Sequence, residues 1–272
     1  MSVPDGIVLF DKPAGITSHD AVAGLRRRLG RGVKVGHAGT LDPFATGLLL
    51  LLVGRATRVQ RFLMALPKVY VVTARFGARS TTGDPEGEII STGVVPEGEL
   101  QLPTGTVRQR PPAFSAVKVG GRRAYALARA GVHVELAERD VQVHRFEQCW
   151  HEGERRGFVI ECSSGTYVRS LIAALGDAYC EELRRTRIGD FDVAQADLER
   201  VLPLHEALDF MPQVRLEADE ARRAGHGVAV AGEAGGVEAG GVVRLTDGDG
   251  LIALAEPRDG GLLKPVVGFR GV

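Results

Sequence analysis

Gly36-His37-Ala38-Gly39-Thr40-Leu41-Asp42-Pro43-Phe44-Ala45-Thr46-Gly47 runs directly into the apolar hexapeptide Leu48 to Val53. Glycine, proline, threonine and histidine surround a single carboxylate, so the segment reads as a loop that presents Asp42 from a fixed, non-regular backbone. The hexapeptide reads as a strand buried on both faces. The residues leave two readings of Asp42 open: a turn residue bonding its own backbone, or a catalytic group. A phosphate-binding loop is excluded, because no Gly-Lys-Ser/Thr follows the glycines.

Upstream, the apolar strand Gly6 to Phe10 meets a turn at Asp11-Lys12-Pro13-Ala14-Gly15. Thr17 or Ser18 then caps a helix over His19 to Leu29, with Ala21, Val22, Leu25 and Leu29 on one side and Gly30 as its stop. Downstream, Ala56 to Leu66 reads as an amphipathic helix and Tyr70 to Phe76 as an alternating strand. Residues 80–98 read as a loop or irregular hairpin, and Val117 to Gly131 as a basic loop carrying a short helix. Strands are expected at Val141 to Cys149 and Phe158 to Ser163, a helix from Tyr167 to Tyr179, and a last strand near Thr186 to Val193. Interleaving without regular βαβ spacing predicts an α+β fold on a mixed, mostly antiparallel sheet. From Arg215 onward the chain turns Gly-rich, with short Val and Leu runs between Asp-Gly and Gly-Gly turns, which predicts a small β domain over residues 215–272.

The 272 residues carry 34 basic and 34 acidic side chains, a net charge of zero that hides a strong asymmetry. Residues 1–80 hold 12 bases against 4 acids, and residues 106–130 hold 6 bases and no acid. Between them, residues 81–105 hold five acids and no base. Two basic regions flanking an acidic insert favour one face that meets phosphates. A membrane span is excluded, because the longest apolar run is six residues against the roughly 20 required. The N-terminus lacks the basic and apolar pattern of a secretory signal, so a cytoplasmic protein is expected. Cys149, Cys162 and Cys180 are three widely spaced cysteines, which argues against a disulfide framework and a zinc site.

The Gly36 to Gly47 segment closely resembles the catalytic-aspartate motif of TruB-type tRNA pseudouridine synthases. Asp11-Lys12-Pro13-Xaa-Gly15-Xaa-Thr17-Ser18 resembles their N-terminal Lys-Pro motif, and Lys68-Xaa-Tyr70 with Ala74-Arg75-Xaa-Gly77 their active-site tyrosine strand. Pro112-Xaa-Xaa-Ser115-Ala116-Xaa-Lys118-Xaa-Xaa-Gly121 is similar to their RNA-gripping insertion. Gly165-Thr166-Tyr167-Val168-Arg169-Ser170 is similar to their active-site arginine motif, and Leu183-Arg184-Arg185 with Ile188-Gly189 to their final core strand. The resemblance spans residues 6 to about 210. It implies a pseudouridine synthase domain over residues 1–214 with a central RNA-binding cleft and an insertion at about 108–130, followed by a PUA-like RNA-binding domain.

Resemblance further implies isomerisation of uridine 55 in the TΨC loop of tRNA, with no cofactor, no metal and no obligatory protein partner, by a monomer. It assigns catalysis to Asp42, paired with Arg169 and assisted by Tyr70. It places Leu183 against the base, His37 in the stack the flipped base vacates, and Tyr167 among the substrate-binding residues. Lys12, Lys68, Arg108, Arg110, Lys118, Arg122 and Arg123 are expected at phosphates. Burial alone would raise the carboxylate's pKa, and a bidentate arginine opposes that. The competing readings are the catalytic subunit of a guide-RNA-dependent synthase, a non-catalytic RNA-binding or RNA-folding protein, and an aspartate-dependent nucleoside glycosidase. The last usually needs two carboxylates, and the Asp42 loop holds one.

Overall fold

The computed structural model describes residues 4–112, 114–115, 117–132, 136–237 and 241–270. A long sheet dominates them. Its order is Leu202–Pro203, Gly6–Lys12, Thr46–Val53, Ala178–Ile188, Lys68–Phe76, Arg155–Cys162, Arg139–Glu152 and Gly105–Gln109. Val35–Ala38 and Phe191–Asp192 pair beside it, on Thr46–Val53 and Ala178–Ile188 respectively. All of these pairings are antiparallel except a short parallel one, where Thr46 and Gly47 lie beside Arg184 and Arg185.

The apolar hexapeptide is the hub, and its alternation divides the core as the period of a strand requires. Leu49, Leu51 and Val53 pack with Ala21, Val22 and Leu25 of the Ser18–Leu29 helix. Leu48, Leu50 and Leu52 face the other way, onto Ile188, Leu204 and Leu208, and onto Leu254, Val267 and Phe269 from the end of the chain. A separate core under the other half of the sheet joins Val72, Phe76, Phe158 and Ile160 to the Val168–Ala173 helix. The Ser18–Leu29 helix begins with a capping box in which Asp20 N–H donates to Thr17 Oγ1 and Thr17 N–H to Asp20 Oδ2. It stops at Gly30, whose φ of 90° a residue with a side chain rarely adopts.

Four expectations need revision. The helix expected from Tyr167 to Tyr179 ends at Ala173, and Tyr179 lies in the Ala178–Ile188 strand, which begins earlier than the strand expected near Thr186. The expected Ala56 to Leu66 helix is a 3-10 turn, Gly54–Val59, followed by a short α-helix, Gln60–Ala65. Within the expected Gly36 to Gly47 loop, Val35–Ala38 is a strand. The fourth lies at the end of the chain. Gln213–Arg215, Val243–Asp247, Gly250–Arg258, Leu262–Gly268 and Val230–Ala231 form a five-stranded sheet in that order, and an unforeseen helix, Ala218–Gly225, packs on it. The expected division between residues 214 and 215 falls inside the first of these strands.

Arginines of the Gly54–Ala65 segment hold this second sheet. Arg55 donates to the Phe269 carbonyl and pairs with Asp5, Arg58 donates to the Gly268 carbonyl, and Arg61 lies 3.8 Å from Glu256. Part of the N-terminal basic surplus therefore serves internal docking rather than an open surface.

Candidate active site

Asp42 sits in a loop that is pinned on both sides. Ser18, the first residue of its helix, accepts from Leu41 N–H at 2.9 Å and donates to the Leu41 carbonyl at 3.2 Å. Beyond Asp42, the Pro43 carbonyl accepts from Gly15 N–H at 2.9 Å and from the Lys12 ammonium at 3.2 Å. That ammonium also donates to the carbonyls of Pro13 and Ile16, and Lys12 is completely buried. Proline and glycine thus bend the chain, and a buried amine gathers the bend against the neighbouring loop.

The Asp42 carboxylate reaches Arg169 across the cleft, with Oδ2 at 2.9 Å from Nε. Arg169 is the second residue of the Val168–Ala173 helix and its side chain is 4% exposed. Its remaining nitrogens donate to the Thr82 carbonyl at 2.7 Å and the Phe114 carbonyl at 2.9 Å, and pair with Asp84 Oδ2 at 3.0 Å. Asp84 is fixed in turn by Thr82 Oγ1 and the Glu86 N–H. One guanidinium therefore joins two carboxylates and two loops. Burial pushes the Asp42 carboxyl above the usual range and the Asp84 charge adds to this, while Arg169 and Lys12 oppose it.

Two lobes of a cleft, about 380 and 460 Å³, meet at this pair, and Asp42, Arg169 and Ser115 line both. Tyr70, Leu183 and Tyr167 line the larger lobe. Tyr70 and Leu183 face each other's strands, with Leu183 opposite Val72 and Tyr70 opposite Arg185. Burial raises the Tyr70 hydroxyl above the ordinary tyrosine range, against the nearby Arg185 charge, so the phenol keeps its proton at neutral pH. The larger lobe thus combines an apolar wall, a phenol and the Asp42 carboxylate held by Arg169, in a volume suited to a small planar ligand.

The family description for the TruB pseudouridylate synthase N-terminal domain matches residues 26–168. The chain is 45% identical to the tRNA pseudouridine synthase B of Thermobifida fusca, over 98% of this chain and 99% of that protein. It is 43% identical to the same enzyme of Mycobacterium tuberculosis, over 94% and 92% respectively. The chain belongs to the TruB family of pseudouridylate synthases. Among solved structures, a Cbf5-Nop10-Gar1 complex contains a chain that superposes with a TM-score of 0.73 at 28% identity, covering 98% of this chain and 85% of that one. The fold is accordingly the pseudouridine synthase fold, with the α+β character and mixed sheet described above.

The TruB-type motifs converge as follows. Asp42, Arg169, Tyr70, Leu183 and Tyr167 share the cleft. His37 is half-buried and lines neither lobe; its ring lies edge-on at 5.5 Å to His19, which lines the smaller lobe, and its carbonyl accepts from Gln60 Nε2 at 2.7 Å. Tyr167 is held by Gln109, whose Oε1 accepts its N–H at 2.7 Å, and by Arg139 stacked 5.1 Å from its ring centre. Arg122 is exposed, and Arg108 and Arg110 are exposed beside Asp140 and Glu138, at 3.2 and 3.4 Å. The side chains of Lys118 and Arg123 lie outside the described residues, as does Ala116.

Two expectations are corrected. Lys12 is not available to a phosphate, because it is buried and bound to three carbonyls. Lys68 is 6% exposed and donates to the Met64 and Leu66 carbonyls, and burial lowers its pKa to about 8. Both lysines fasten loops. Conversely, the second carboxylate that the Asp42 loop lacks arrives from elsewhere: Asp84 belongs to the acidic 81–105 insert, yet it is 3% exposed. The clue was the setting of Asp84 just after Thr82 and Gly83, where a hydroxyl and a turn can fix a buried carboxylate.

Proposed function

We propose that this chain converts uridine 55 in the TΨC loop of tRNA to pseudouridine, as a single chain in the cytoplasm, without guide RNA or cofactor. The observation that carries this reading is the Asp42 carboxylate held 2.9 Å from Arg169 where both lobes of the cleft meet, in a family that isomerises uridylate. The isomerisation breaks the bond from N1 to C1′, turns the base over and joins C5 to C1′. One proton leaves C5 and one is gained at N1, so nothing is oxidised and no atom is added.

The cleft supplies what this needs. A base in a folded arm must be extruded, at a cost of a few kcal/mol of stacking, and His37, beside the cleft-lining His19, fills the vacated position. Leu183 and the Tyr70 ring clamp the base between apolar surfaces, which keeps it from escaping once the glycosidic bond is broken. Asp42 acts on the ribose or the base as the anion, which Arg169 favours against burial. Arg108, Arg110, Arg122 and the insertion they border position the RNA through its backbone.

The test uses purified protein and an unmodified tRNA transcript with no other RNA or protein present. Pseudouridine at position 55 alone is the expected product. A requirement for a guide RNA would assign the chain to the guide-dependent class. Release of free uracil would assign it to the glycosidases.

A further inference from the structure

The Thr46–Val53 strand changes partner part-way along its length. Thr46 and Gly47 lie beside Arg184 and Arg185, whereas Leu50 to Val53 pair with Val35 to Ala38 on that same edge. The segment between Ala38 and Thr46, which carries Asp42, leaves the sheet through this split. Carbonyls at such a split lose their ladder partners, and burying each one bare is costly.

A single side chain meets them. Arg185 Nε donates to the Leu48 carbonyl at 2.7 Å, Nη2 to the Gly39 carbonyl at 3.1 Å and Nη1 to the Thr40 carbonyl at 3.4 Å. Arg185 is 1% exposed and lines the cleft floor next to Tyr70, its cross-strand partner. A guanidinium carries five donors in a rigid fork and no acceptor. Here the three carbonyls are met by three different nitrogens of that fork, whereas the ammonium of a lysine places its donors on one nitrogen.

We propose that Arg185 is a positioning residue for the isomerisation: it holds the Gly39–Thr40 backbone that delivers Asp42 to the cleft. This rests on the reading above that Asp42 works on uridine.

The experiment compares Arg185→Lys and Arg185→Gln with the parent in single-turnover pseudouridine formation on a tRNA transcript, alongside tRNA binding by filter retention and a thermal melt. The expected result is a rate loss of about 100-fold for Arg185→Gln, the scale of a small misplacement of reacting groups. Binding should change less than about twofold, and Arg185→Lys should recover part of the rate, since one donor nitrogen and the charge remain. A folded variant with the parent's rate overturns the proposal, as does a loss of binding equal to the loss of rate. Failure of both variants to fold overturns it too, because Arg185 would then serve stability alone. An inactive parent would instead refute the proposed function, so the two failures are distinguishable.

Discussion

Replacing Arg169 by Met isolates the electrostatic part of the site. The guanidinium lies 2.9 Å from Asp42 and 3.0 Å from Asp84, with its side chain 4% exposed. Asp42 already titrates above the usual carboxylate range because burial and the Asp84 charge outweigh Arg169 and Lys12. Arg169 lowers the pKa, so its loss raises it further. If the anion is the working form, the acid limb of the rate profile moves to higher pH. At any pH below the limb, each unit of displacement costs about tenfold in rate. Stability falls as well, by about 3–5 kcal/mol for removal of one partner from a buried ionic cluster, so the assay must run well below the variant's melting temperature. Single-turnover pseudouridine formation from pH 5 to 9, for parent and Arg169→Met, reads the limb directly. An unmoved limb with a uniformly reduced rate would refute the reasoning, because Arg169 would then be only a scaffold.

Three further outcomes follow from the geometry. A Cβ at Gly47 would lie 2.2 Å from the Arg185 carbonyl at a φ of 103°, so Gly47→Ala should cost about 2 kcal/mol or more in urea unfolding and depress the rate through the displaced strand. Lys12→Met leaves the carbonyls of Pro13, Ile16 and Pro43 without their amine. It should destabilise the fold while leaving the salt slope of tRNA binding unchanged, whereas loss of a true phosphate contact lowers that slope by about one. Phe269 is 5% exposed in the core it shares with Leu50 and Leu52, so Phe269→Ala should lower stability by about 3–5 kcal/mol by calorimetry and loosen the C-terminal sheet.

The fold was legible where local chemistry and periodicity agree. Leu48 to Val53 had to be buried on both faces, and Thr17 and Gly30 bracket their helix because a hydroxyl and a flexible backbone belong at those ends. What stayed hidden depends on contacts distant in sequence. Nothing near Lys12 or Lys68 says that their amines turn inward, since a lysine beside a turn reads as solvated until the carbonyls it meets are known. Asp84 looked like one acid among five, and only the approach of Arg169 from 85 residues away makes it part of a buried cluster. Arg185 read as one base of a core strand, because the split that it fills exists only once the sheet is assembled. The short helices follow the same logic: Tyr179 is a good strand residue claimed by pairing with Arg75, and pairing overrode a helical reading of the run before it.

The segmental charge also means something narrower than it first did. Arg55, Arg58, Arg75 and Arg79 are engaged within the protein, so part of the N-terminal surplus serves the fold.

Everything proposed for this cleft turns on one carboxylate. Asp42→Asn is nearly isosteric and keeps an oxygen toward Arg169, so the fold and the RNA surface should survive it. With an unmodified tRNA transcript, the variant should bind as the parent does and form no pseudouridine over many parent half-times. Pseudouridine formed at the parent's rate by a verified Asp42→Asn protein would contradict the account outright.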